Sequence, residues 1–147
     1  MRVVIDSNIL VSAIGKKSSL RQIWLSFRKG YYAIVVNEDI LKEYEEILQE
    51  HAVAGAAELV MEMFKESPDV IFQRIYYNWN AVEKDPDDNK FFDVAVASAA
   101  DYLVTDDRHF NAAKKLQFPK VNIVSSGDFL RILEDSGLDN PALFEYP

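Results

Sequence analysis

Carboxylates stand at four places where a short apolar run gives way to polar residues or to a following helix. "RVVID" ends at Asp6, with Ser7 and Asn8 next. "YLVT" is followed by Asp106 and Asp107. "DPDDN" carries Asp85, Asp87 and Asp88, and "ILKEYEEIL" carries Glu43, Glu45 and Glu46. Gathered together, such groups repel, and some keep their protons unless a cation joins them. Hard divalent cations such as Mg²⁺ and Mn²⁺ take carboxylate and water ligands. An acidic pocket holding one or two of them activates water against a phosphodiester. Each acid also has a plainer reading. Asp6 would end a strand, Asp85 and Asp88 would favour a helix start, "TDDRHF" would be a solvated turn, and the glutamates a wet helix face. Their recurrence at one predicted end of the fold favours a shared site.

The elements that must position these acids alternate. Short apolar strands are read at "RVVID", "YYAIVV", "VIFQRIYY", "YLVT" and "NIVS". Helices are read at "SNILVSAI" with Ser7 as cap, at "LRQIWLSFRKG" stopping at Gly30, and at "NEDILKEYEEILQEH" capped by Asn37. Further helices follow at "AAELVMEMFKES", "DPDDNKFFDVAVASAA" and "SGDFLRILEDSG". This alternation predicts an α/β fold: a three-layer domain with a central parallel sheet covered on both faces. In open sheets of that kind, ligands bind outside the carboxyl ends of the strands, which is where the acids lie.

Helical periodicity narrows the set. Ile40, Leu41, Tyr44, Ile47 and Leu48 share one stripe, Glu46 lies opposite it, and Glu43 and Glu45 lie on its two borders. Spacing does not choose between those two. In the later helix Phe91, Phe92, Ala95 and Ala99 form the stripe, Asp88 precedes it on the same side, and Asp93 is expected to face solvent.

The totals exclude several classes. A chain of 147 residues, 49 % hydrophobic and 27 % charged, suits one globular domain spanning residues 1–147. No cysteine is present, which removes disulfide frameworks and thiolate metal sites and fits a cytoplasmic protein. No apolar run approaches the ~20 residues of a membrane span, and Asp6 and Asn8 interrupt any signal-peptide core. The net charge of −8 argues against gripping nucleic acid by bulk charge. It leaves open an enzyme that meets a phosphate through bound cations.

The segments "VVIDSNILVSAI", "ILKEYEEIL", "DPDDNKFFDVAVASAADYLVTDDRHF" and "VNIVSSGDFLRIL" together resemble the PIN-domain family, in particular its bacterial and archaeal toxin–antitoxin toxins. The likeness runs from about residue 1 to about residue 135. It implies a Mg²⁺- or Mn²⁺-dependent endoribonuclease cutting single-stranded RNA, a cognate antitoxin partner, and in many members a homodimer. It also implies a metal site of Asp6, Glu43, Asp88 and Asp107, with Asp85 in reserve and Asp106 in place of a commoner glycine. Asp6 is followed by Ser7 and Asn8, with Ser where Thr is commoner. Thr105 marks Asp107 as the fourth acid, and the Glu preceding Tyr44 marks Glu43 as the second.

Ser7 and Asn8 are expected to fix carboxylates by hydrogen bonds. Lys16, Lys17, Arg21 and Arg108 are expected to contact the RNA backbone. His109 lacks a second partner that would make it a convincing general base. The apolar tail "NPALFEYP" is expected to pack on its own domain. An alternative reading is a catalytically inactive PIN fold binding RNA or protein, which predicts loss of a core acid. A phosphate-accepting receiver domain would need its acid pair after the first strand, whereas the pair here follows "YLVT".

Overall fold

The computed structural model describes residues 1–138; the tail "NPALFEYP" lies outside the described residues. Five strands form one sheet: β1 (Arg2–Ile5), β2 (Ala33–Val36), β3 (Val70–Phe72), β4 (Tyr102–Val104) and β5 (Ile123–Val124). Their order is β3-β2-β1-β4-β5, and every pairing is parallel. Val3, Val4 and Ile5 are all fully buried although successive side chains point to opposite faces. Both faces of the sheet are therefore covered, as the apolar character of the strands requires.

The helices are α1 (Ser7–Ile14), α2 (Arg21–Arg28), α3 (Glu38–His51), α4 (Ala56–Glu66), α5 (Asn89–Ala97), α6 (Asn111–Lys114) and α7 (Ser126–Leu133). Aromatic rings join several of them into one layer. Trp24, Phe27 and Phe64 lie with centroids 5.5–6.3 Å apart, and Tyr32 meets Phe129 at 5.3 Å. Helix α5 packs on β1, β2 and β4. It belongs to the connection that carries the chain from β3 back to β4 on the far side of β1, so right-handed crossovers place α5 on the opposite face from α1–α4. No described helix is long and apolar enough to cross a membrane.

Three local expectations change. Ser7 does not cap α1; Asp6 holds the cap position, and Ser7 is the first helical residue. The third strand ends at Phe72, not at Tyr77, because after Gln73 donates to the Val36 carbonyl (2.8 Å) the chain leaves the edge of the sheet. "DPDDN" opens as a 3-10 turn at Pro86–Asp88, with Asp85 as its cap, before α5 begins. The Asn37 cap is present: its Oδ1 accepts from the Ile40 N–H at 2.9 Å.

Candidate active site

The sheet order reverses at β1. The chain moves outward from β1 to β2 and β3, then returns to the other side of β1 as β4. The crevice outside the carboxyl ends of β1 and β4 is thus the topological switch point, where helices diverge and leave room for a ligand. Asp6 leaves β1 there, and Thr105, Asp106 and Asp107 leave β4.

Asp6 is 5 % exposed. Its backbone N–H donates to the Val104 carbonyl (3.0 Å), which locks the end of β1 to β4. Thr105, itself buried, donates its hydroxyl to Asp6 Oδ2 (2.8 Å) and accepts the Asp107 N–H (3.1 Å). One hydroxyl therefore sets both the Asp6 rotamer and the path of the chain into Asp107. Burial raises the Asp6 carboxyl; the Thr105 hydrogen bond opposes this, while Glu43 and Asp107 add to it. The Asn8 amide also favours the charged form without making a full cap hydrogen bond. The Asn8 side chain itself is exposed.

Asp88 closes the 3-10 turn and is 9 % exposed. Its Oδ2 is buried and lacks a hydrogen-bond partner among the described residues. Burial pushes its carboxyl up to about 8, reinforced by Asp6, Asp85 and Asp107, with Asp107 close enough to share its proton. Ligand atoms of Asp85, Asp88, Asp107 and His109 all lie within 4.8 Å of one another. The His109 ring nitrogen Nδ1 stands 3.3 Å from Asp107 and 3.7 Å from Asp85. Asp107 Oδ1 also accepts the His109 N–H (2.9 Å), which caps the 3-10 turn Arg108–Phe110.

Glu43 reaches the same end from α3. Ser7 donates to its Oε2, and Lys90 Nζ sits 2.9 Å from its Oε1. Tyr44 donates to the Ile5 carbonyl, fastening α3 to the end of β1 within electrostatic reach of Asp6 and Glu43. Glu45 and Glu46 are exposed. A cleft of about 560 Å³ runs past Glu43 and Lys90 toward Asn78, Asn80 and Asp93.

Asp85, Asp88 and Asp107 therefore form one tight group, and Asp6 lies within electrostatic reach of Glu43, Asp107 and Asp88. The other expected site residues stand around this group or apart from it. Asp106 turns toward α7 and accepts both the N–H (2.8 Å) and the hydroxyl (2.7 Å) of Ser126. Arg21 is half-buried and donates to the Ile14 carbonyl, which ties off the end of α1. Lys16 and Lys17 are exposed in the turn after α1, and Arg108 is exposed beside Asp107. Asp93 is 4 % exposed, not solvated, because its carboxylate accepts the Trp79 N–H (3.1 Å).

One residue of the site, Lys90, escapes the sequence reading, and another, His109, is set aside there for want of a partner that the structure supplies. His109 joins through its spacing of two from Asp107, a faint signal available in "TDDRHF". Lys90 pairs with a residue 47 positions earlier, which no local pattern announces.

A PIN-domain family model matches residues 2–109. In structure, the chain is similar to a chain in the crystal structure of VapBC2 from Rickettsia felis bound to a DNA fragment from their promoter. The TM-score is 0.58 at 16 % identity, over 85 % of this chain and 98 % of that one, a likeness of fold. No curated protein matches the sequence.

Proposed function

The chain belongs to the PIN-domain family, and from that premise we propose that it is a Mg²⁺- or Mn²⁺-dependent endoribonuclease hydrolysing single-stranded RNA, the toxin of a toxin–antitoxin pair. The observation that carries this reading is the group at the switch point. Three carboxylates and an imidazole converge within 4.8 Å, and the buried Asp88 Oδ2 lacks a partner. Carboxylates so close are costly together unless a cation joins them. An oxygen-rich donor set suits a hard divalent ion.

Asp6, Asp88 and Asp107 would hold the ion, with Asp85 and Glu43 beside them. The chemistry supplied by a bound cation is activation of water and offset of charge on the scissile phosphate. The protein's own part is orientation. Thr105 holds Asp6, and the 3-10 turn holds Asp107. Ser7 and Lys90 engage both oxygens of Glu43, so that its carboxylate faces the pocket in one orientation. Arg108, exposed next to Asp107, would meet a phosphate of the substrate.

A structural relative that comes from a VapBC2 complex supports a cognate antitoxin as partner; a homodimer and a cytoplasmic location complete the proposal. The deciding experiment is cleavage of a mixed single-stranded RNA pool with Mn²⁺, Mg²⁺ or EDTA, by wild type and Asp6→Asn. We expect metal-dependent cutting that falls by at least about a hundredfold in the variant, in the range of losses when a charge-stabilising group is removed. Equal cutting by both proteins would reject the site. No cutting by wild type with any metal would favour an inactive binding module.

A further inference from the structure

Tyr77, Trp79 and Phe118 form an aromatic ladder on the surface, outside the acidic group. Ring centroids are 4.5 Å apart for Tyr77–Trp79 and 5.7 Å for Trp79–Phe118, so Trp79 stands between the other two. Tyr77 is 65 % and Phe118 80 % exposed, while Trp79 packs partly against the core. Large aromatic groups left in water at this density call for a partner.

The ladder is built on a fixed backbone although it lies in no regular element. Asp93 accepts the Trp79 N–H, and Asn89, one turn earlier on α5, pairs with both the N–H (2.8 Å) and the carbonyl (3.2 Å) of Val82. The same helix thus begins at the acidic site and carries the polar groups that hold the aromatic segment. The cleft beside Glu43 and Lys90 is lined by Asn78, Asn80 and Asp93, which neighbour Trp79 in sequence or hold its backbone, while the rings themselves stand outside it.

Charge supplies an independent observation. From residue 108 to residue 127 the chain has no Asp or Glu, yet carries Arg108, Lys114, Lys115 and Lys120, in a molecule of net charge −8. The three lysines are exposed and flank Phe118 in sequence, and the stretch starts directly after Asp107. Exposed rings among cations serve unpaired nucleotides: bases stack on the rings, and phosphates meet the lysines. An apolar protein segment would cover the rings without needing the local excess of positive charge.

We propose that Tyr77, Trp79 and Phe118, with Lys114, Lys115 and Lys120, form a platform for single-stranded RNA outside the acidic site, holding a part of the substrate away from the scissile bond. As a substrate platform it rests on the nuclease reading, but its binding can be measured without metal. The test is fluorescence anisotropy in EDTA with a labelled oligouridylate of about 12 nucleotides, within the site sizes such surfaces cover, and a matching duplex. Tyr77→Ala/Phe118→Ala is expected to weaken single-strand binding about tenfold or more. Lys114→Ala/Lys115→Ala/Lys120→Ala is expected to flatten the salt dependence by a slope of about 2. Tyr77→Phe/Phe118→Tyr should restore the affinity, and unchanged melting temperatures would verify that the variants fold.

Unchanged affinity in the aromatic variant, equal affinity for the duplex, or no binding of single-stranded RNA by wild type would each overturn the platform. Cleavage with Mn²⁺ is scored separately. A wild type that binds through the ladder but does not cut removes the nuclease reading and keeps the platform. A wild type that cuts while the aromatic variant binds normally does the reverse.

Discussion

Asp88 has an ordinary value of 3.8 and is pushed up to about 8, chiefly by burial. Between those values the unfolded chain releases this proton while the folded chain keeps it. Without metal, its contribution to stability is therefore fully present below 3.8 and lost as pH rises through about 8. Asp88→Asn removes the titration. In EDTA the variant is expected to gain on wild type between about pH 5 and about pH 8, by on the order of 2 kcal/mol because the proton is shared with neighbours. Urea denaturation at both pH values measures this, and a difference that does not change with pH would reject it. Mn²⁺ should stabilise wild type more than the variant, and more at the higher pH, since ligands must lose their protons to bind. Thr105 acts on the same carboxylates through one hydroxyl. Thr105→Val keeps the shape and removes the bond to Asp6 and the acceptor for Asp107. We expect RNA cleavage to fall about 10- to 100-fold, with Thr105→Ser recovering most of it. Full activity in the valine variant would show that Asp6 needs no such support.

At the scale of elements, neighbouring residues can serve different parts of the fold. Asp106 and Asp107 leave β4 together, but one secures α7 and the other faces the acidic group. Asp106→Ala is expected to cost about 1 kcal/mol, the usual loss when a helix start loses its side-chain acceptor, and to leave cleavage per folded molecule unchanged. A large loss of cleavage at full stability would return Asp106 to the site. Helix α5 shows the same division along its length: Asp88 precedes it at the acidic group, Asn89 and Asp93 hold the segment from Trp79 to Val82, and Phe91 and Phe92 fill the core. Asp93 is buried because an irregular segment lies across it, and its hydrogen bond from the Trp79 N–H offsets part of the cost of that burial.

At the scale of the molecule, one sheet with helices on both faces should unfold as a unit. We expect one calorimetric transition with an enthalpy of roughly 100 kcal/mol for a chain of 147 residues, and agreement between calorimetric and van't Hoff values. Two resolved transitions would reveal separable units. The charge distribution also makes sense only at this scale. A group of acids stands at the switch point while residues 108–127 carry only cations among their Asp, Glu, Lys and Arg positions, so a net charge of −8 does not describe every part of the surface.

Much of this architecture was already written along the chain. The alternation of apolar runs and amphipathic segments specified five strands and a parallel sheet, and the acids at "RVVID", "DPDDN" and "TDD" marked one end of it. Asn37 as a cap was legible too, because a cap depends on three or four consecutive residues. What the sequence could not decide was direction and partnership. Whether Asp106 or Asp107 turns inward depends on where α7 lies. Asp93 is buried because Trp79 crosses over it, and the helical period alone puts it in solvent. Lys90 enters the site through Glu43, distant in the chain, and His109 gains in Asp85 a second partner beyond its near neighbour Asp107. Periodicity and end signals are properties of one segment, whereas burial and electrostatic coupling are sums over everything that packs around a group, and only the tertiary structure supplies those terms.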